Sequence, residues 1–137
     1  MAAPPETVFE VLTDHRGYAR ITNLRKAELE REGKPAPDGV GAIRRLTAVG
    51  PPMREEVIAY EPGRRFSYKL LSGLPVRDHV GTVELTPNGS GTTVVYAVRT
   101  TPTLPLFGGA VIPFMKIGIG QLLGGVAKES ERRAAAS

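Results

Sequence analysis

The chain has no cysteine and no tryptophan, and it carries only two histidines and 6% aromatic residues in 137 positions. Without cysteine there are no disulfides, thiolate metal sites or cysteine nucleophiles, and a reducing compartment is permitted. Two histidines far apart, His15 and His79, with no cysteines, make no zinc site, so no metal is expected. The few aromatics argue against a stacking platform for single-stranded nucleic acid. There is no G-x-S-x-G nucleophile turn. Nor is there a phosphate-cradling loop, because Gly118 and Gly120 fall inside a helical pattern with no strand before them. No cofactor is expected. The opening MAAPPETVFE lacks a basic start and a continuous apolar run, so it does not read as a signal peptide and the expected location is cytoplasmic. The length suits one domain, 1–137, with no internal repeat.

What charge there is, is mixed. The net charge of +4 and pI near 9.7 raise the question of nucleic acid. Yet Arg25, Lys26, Arg31 and Lys34 alternate with Glu28, Glu30 and Glu32, and Lys128, Arg132 and Arg133 sit among Glu129 and Glu131. That is a solvated surface, not a phosphate-tracking stripe, and no nucleic-acid partner is expected.

Pro4, Pro5 and Glu6 predict a helix start, since proline fits where amide hydrogens have no partner and a carboxylate complements the helix dipole. Val8, Val11 and Leu12 recur at helical spacing up to about Asp14, and a second short helical turn fits up to Ile21. His15, between the two, reads as an exposed loop or capping histidine. Strand patterns follow at 24–32, 40–49, 53–61, 64–72, 76–86 and 92–101, separated by turns rich in proline and glycine. The clearest hairpin turn is Pro87 to Gly91. Six strands with short connections imply an antiparallel meander. Alternation puts Phe66, Tyr68 and Leu70 on one face, with Gly81, Val83 and Leu85, and with Val94, Tyr96 and Val98.

That apolar face needs a cover. The candidate is Thr100 to Ala127, 28 residues with the single charge Lys116. Its length suits a membrane span, but six glycines, Pro113, Lys116 and Gln121 interrupt it, so no integral span is expected. Ile112, Met115, Ile119, Leu122 and Val126 instead follow helical spacing, with Phe107, Val111 and Phe114 beside them. Pro105 and Pro113 place the helix from about Ile112 to Ala134. Glycine costs up to about 1 kcal/mol per helical site relative to alanine. Gly118 and Gly125 therefore have a packing purpose: either they open a cavity or they permit close contact.

Several stretches resemble the polyketide cyclase/dehydrase and lipid-transport superfamily, the START-related (SRPBCC) group. They are A-P-P-E-T-V-F-E-V-L-T-D at Ala3 to Asp14 followed by Tyr18, G-V-G-A-I-R at Gly39 to Arg44, E-E-V-I-A-Y-E-P at Glu55 to Pro62, F-S-Y-K-L-L-S-G at Phe66 to Gly73, and Pro87 to Val98. The resemblance implies an α+β helix-grip fold: a curved antiparallel sheet of about six strands, short N-terminal helices, and a long C-terminal helix across the concave face. The group usually begins with a further strand, and here only Met1 and Ala2 precede the A-P-P helix. The strand at 92–101 is then expected to present an open edge, through which a homodimer is expected.

In such a fold a ligand lies between sheet and helix. The expected lining is Arg44, Glu55, Val57, Phe66, Tyr68, Leu70 and His79 from the sheet, with Val83, Val94, Tyr96 and Val98, and Met115, Ile119 and Leu122 from the helix. Arg44 and Glu55 fall nearly opposite one another, and either they form a structural ion pair or Arg44 holds a ligand anion with Glu55 orienting it. His79 is in phase with Gly81 and is the candidate for proton transfer. Tyr68 and Tyr96 either cap a core or donate to a ligand. The expected function is binding of a hydrophobic or aromatic small molecule, lipid or polyketide-like. The alternatives are an aromatase/cyclase or dehydratase using Arg44, Glu55 or His79, and an interaction module without a small ligand.

Overall fold

The proline-led start forms a helix as its chemistry requires. In the computed structural model, which describes residues 1–103 and 108–137, α1 spans Pro5–Thr13 with Pro5 in its first turn beside Glu6. A 3-10 turn, His15–Gly17, and the short α2, Tyr18–Ile21, follow.

The strands are β1 (Lys26–Arg31), β2 (Ile43–Thr47), β3 (Met53–Glu61), β4 (Arg65–Ser72), β5 (Val76–Asn88) and β6 (Gly91–Pro102). They form one antiparallel sheet in chain order. This is the α+β helix-grip architecture. β1 and β2 are shorter than the sequence pattern suggests. The connection between them folds back on itself through Lys34 and Val40, which exchange backbone hydrogen bonds of 2.8 and 2.9 Å, so these residues leave the ladder.

The long helix α3 covers Gly108–Ala136. It starts four residues earlier than expected, with Pro113 inside it. The missing proline amide frees the carbonyl of residue 109, and Gly109 is exposed, so water can satisfy that group. Phe107 lies outside the described residues. α3 has the length and composition of a membrane span. In this fold its C-terminal part packs against α1 and α2, with Val126 and Ser130 fully buried.

The inner face of the sheet is divided along the strands. At one end Val57, Phe66, Val83 and Leu85 pack with Val8, Phe9 and Leu12 of α1 and with Val126 of α3 into the apolar core. At the other end of the same strands α3 stands off the sheet. Tyr68 lies at the boundary, its ring directly over Gly81, where a methyl group would overlap it. Gly125 does the opposite job at the helix: it lets α3 approach the backbone of Ile21 so closely that a Cβ would run into the Ile21 carbonyl.

Met1 exchanges two backbone hydrogen bonds with Thr92, of 2.8 and 2.9 Å, on the outer side of β6. Beyond that point no strand pairs with the outer edge of β6 among the described residues.

Candidate ligand cavity

Where α3 stands away from the sheet there is a cavity of about 290 Å³. Its floor is Arg44 and Leu46 of β2, Met53 and Glu55 of β3, and Tyr68, His79 and Tyr96 of the last three strands. Its roof is α3, through Phe114, Met115, Gly118, Ile119 and Leu122. Nothing lies within 4 Å of the position a Cβ would take on Gly118, so this glycine widens the space, whereas Gly125 closes a contact. Both readings of the helical glycines hold, at different positions.

Arg44 and Glu55 face each other in register. Nε of Arg44 donates to Glu55 Oε1 at 2.8 Å, with Nη2 also 2.8 Å from that oxygen as an ion pair, and Nη1 donates to the Tyr18 hydroxyl at 3.1 Å. Tyr18 in turn donates to the Leu12 carbonyl, tying this pair to the end of α1. The guanidinium lies 4.5 Å from the Tyr68 ring centroid and 5.3 Å from that of Phe66, a cation over aromatic faces. Arg44 is only 2% exposed. Burial by itself lowers its pKa, but Glu55 and the surrounding tyrosines more than offset this and the net direction is upward. It stays charged.

Tyr68 and Tyr96 share a short hydroxyl-to-hydroxyl hydrogen bond. Burial raises the pKa of both, Tyr68 well above its ordinary value, so both are neutral phenols. One of the two donates to the other, which leaves one phenolic hydrogen unassigned. His79 Nδ1 lies 3.0 Å from Thr100 Oγ1, and Nε2 has no protein partner among the described residues. The ladder of β5 and β6 shifts register between Arg77 and Val80, and Asp78 takes a φ of 51°. This bulge sets the phase of His79, turning its ring inward with Gly81 and Val83. Burial lowers the His79 pKa, with Glu55 opposing.

Of the expected lining, Arg44, Glu55, Tyr68, His79, Tyr96, Met115, Ile119 and Leu122 surround this one cavity. Val57, Phe66, Val83 and Val94 do not; they belong to or pack against the core beneath α1. Leu70 and Val98 are half-buried and are not part of the wall. Alternation identifies the face of a strand but not the position along it, and these residues lie elsewhere on the right face. The same period carried from Arg44 to Leu46 and from Glu55 to Met53 finds two wall residues that the pattern of candidates missed. Tyr18, Leu74 and Val49 come from the α2 turn and the strand connections, for which the sequence holds no periodic signal.

His15 is the largest correction. It is fully buried, not exposed, with ring centroids 5.5 Å from Tyr18 and 5.3 Å from Phe66. Its Nδ1 lies 2.9 Å from Asp38 Oδ1, in a geometry too bent for a good hydrogen bond, and its Nε2 has no partner. Its acidic neighbour is 23 residues away in sequence, supplied by the β1–β2 connection. Desolvation lowers its pKa to about 4 against the opposing pull of Asp38.

A sheet of this order gripped by a C-terminal helix fits the family model for polyketide cyclase / dehydrase and lipid transport, which matches residues 1–131. The chain belongs to that family. Several solved structures are similar in fold across nearly the whole chain. The di-domain ARO/CYC StfQ from the steffimycin biosynthetic pathway is 16% identical with a TM-score of 0.77, covering 98% of this chain and 49% of its own. A START superfamily protein from Mycobacterium smegmatis is 18% identical with a TM-score of 0.69, covering 99% and 92%. A protein from Thermus thermophilus is 24% identical with a TM-score of 0.68, covering 99% and 92%. No curated protein matches the chain. Family and fold support a role in hydrophobic ligand binding or polyketide cyclase-like chemistry.

Proposed function

We propose that the protein encloses a hydrophobic or aromatic small molecule, lipid or polyketide-like, in the cavity between α3 and the sheet. The observation that carries this reading is the cavity itself. About 290 Å³ lies at the lower end of the volumes usual for small-molecule sites, roughly 300 Å³ and upward. Its walls are mainly apolar, with a few polar groups among them. Its mouth is apolar too: Val49 is 87% exposed, Ile117 63% and Phe114 47%. The neutral dye N-phenyl-1-naphthylamine tests it. The wild type is expected to enhance its fluorescence saturably at micromolar concentrations, and Gly118→Leu, which fills the roof, to abolish the effect with the thermal midpoint kept. Equal enhancement by both proteins sinks the proposal.

One observation favours a second reading, as an enzyme of the cyclase or dehydratase type. Arg44, Glu55, Tyr68 and His79 all converge on the same cavity. Burial pushes the His79 pKa down, which favours the neutral ring, with Nε2 available to take a proton. The test is deuterium exchange at the acidic carbon of benzoylacetone, a 1,3-dicarbonyl. Acceleration by the wild type and its loss in His79→Gln are expected, and a rate equal to that in buffer counts against catalysis.

A further inference from the structure

We infer that the cavity selects an uncharged ligand that carries a hydrogen-bond donor, such as a phenol or alcohol, and rejects carboxylates, fatty acids included. This rests on the cavity being the binding site, and it concerns which chemistry enters.

A buried arginine in an apolar pocket ordinarily advertises an anion site. Here the anion is already in place. Glu55 Oε1 accepts from Arg44 Nε at 2.8 Å and lies 2.8 Å from Nη2 as an ion pair, Nη1 donates one hydrogen to Tyr18, and the Tyr68 ring lies over the guanidinium at 4.5 Å. Both partners are buried, Arg44 at 2% and Glu55 at 5% exposure. A ligand carboxylate would have to share one cation with Glu55 in a desolvated space, which places two like charges side by side and is unfavourable. Among the described residues the cavity wall contains no other ionised group. Arg44 and Glu55 offset each other's charge in the wall.

The unused polar atoms say what does fit. Glu55 lines the cavity, and its Oε2 accepts no hydrogen bond from any described residue, whereas Oε1 accepts from Arg44 Nε. An unpaired carboxylate oxygen on the wall of a mainly apolar cavity is an acceptor in want of a donor. The Tyr68 and Tyr96 pair contributes the opposite: two hydroxyls sharing one bond leave one O–H to donate. His79 Nε2 serves in either role. A hydroxyl group, which donates once and accepts at its lone pairs, satisfies both Glu55 and the tyrosine pair. A carboxylate donates nothing, and a pure hydrocarbon leaves both unsatisfied.

Three probes of one shape read this directly: naphthalene, 2-naphthol and 2-naphthoate, titrated into the isotopically labelled full chain near neutral pH and followed by the amide signals of β2, β3 and α3. At that pH the phenol is neutral and the carboxylic acid is ionised. We expect 2-naphthol to bind at least about tenfold more tightly than naphthalene, as one added hydrogen bond to a charged acceptor implies, and 2-naphthoate to bind at least about tenfold more weakly than 2-naphthol. Naphthoate as tight as naphthol, or naphthol no tighter than naphthalene, overturns the inference while leaving a binding cavity in place. Failure of all three to bind overturns the cavity reading itself and the inference with it. Glu55→Gln frees Arg44 from its counter-ion, so naphthoate binding is expected to rise by about tenfold or more in that variant. A folded Glu55→Gln protein with no such gain also overturns the inference, and if the variant does not fold the three wild-type titrations decide.

Discussion

At residue scale, a single missing methyl group holds the floor of the cavity. Gly81 lets the Tyr68 ring lie against the sheet, where its hydroxyl meets Tyr96 and its face meets Arg44. Gly81→Ala forces the ring away, with a cost of about 1–3 kcal/mol as for overpacked cores; a lowered urea midpoint checks this, and an unchanged midpoint refutes it. For the ion pair, Arg44→Met leaves Glu55 buried and uncompensated, and a loss of about 3–5 kcal/mol is expected. The double variant Arg44→Met with Glu55→Leu is expected to recover most of that, so a double-mutant cycle by urea denaturation measures it. His15 adds a pH dependence. Its pKa is near 4 in the fold and near 6.5 when unfolded, so the unfolded chain binds more protons between those values and stability falls as pH drops from about 6.5 to about 4. The full loss is on the order of 3 kcal/mol. Thermal midpoints across that range are expected to slope steeply in the wild type and less in His15→Phe. None of this environment was legible for His15, because its burial depends on Asp38 and Phe66, which only the folded connection and sheet bring to it. Arg44 and Glu55 were legible, since two positions flanking a short turn in a hairpin must pair.

At the scale of elements, the helix α3 tests the distinction between its glycines. Gly125→Ala is expected to destabilise by about 1–3 kcal/mol, since the methyl group meets the Ile21 carbonyl and overpacking outweighs the gain in helix propensity. Gly118→Ala faces open space and is expected to stabilise by up to about 1 kcal/mol. Circular dichroism melts of the two variants shifting in the same direction would count against this division. The strands were readable because alternation and turn residues are local signals, and β3 coincides with its expected span. The start of α3 was not, because proline sets a preference that an exposed carbonyl at Gly109 can satisfy with water. Nor does sequence alone say which glycine is a gap and which a contact, since that depends on what lies across from each.

At the scale of the whole molecule, the fold leaves the outer edge of β6 open past the pairing of Met1 with Thr92. An open edge is a template for another strand, whichever segment or chain supplies it. The family layout was legible from end to end because its motifs are structural ones. The cavity was legible only as a face, because its depth is set by how far α3 stands from the sheet.

The division of each inner strand face at Tyr68, Tyr96 and Gly81 carries one more consequence. Most residues of the apolar core and most residues that line the cavity occupy separate halves of the same strands, joined through Tyr68, Tyr96, Leu122 and the Arg44–Glu55 pair. A lineage with this arrangement is free to retailor Leu46, Met53, Met115 or Ile119 for a new guest without disturbing the apolar packing under α1. The architecture is thereby evolvable: the cavity lining can drift while the scaffold stays still.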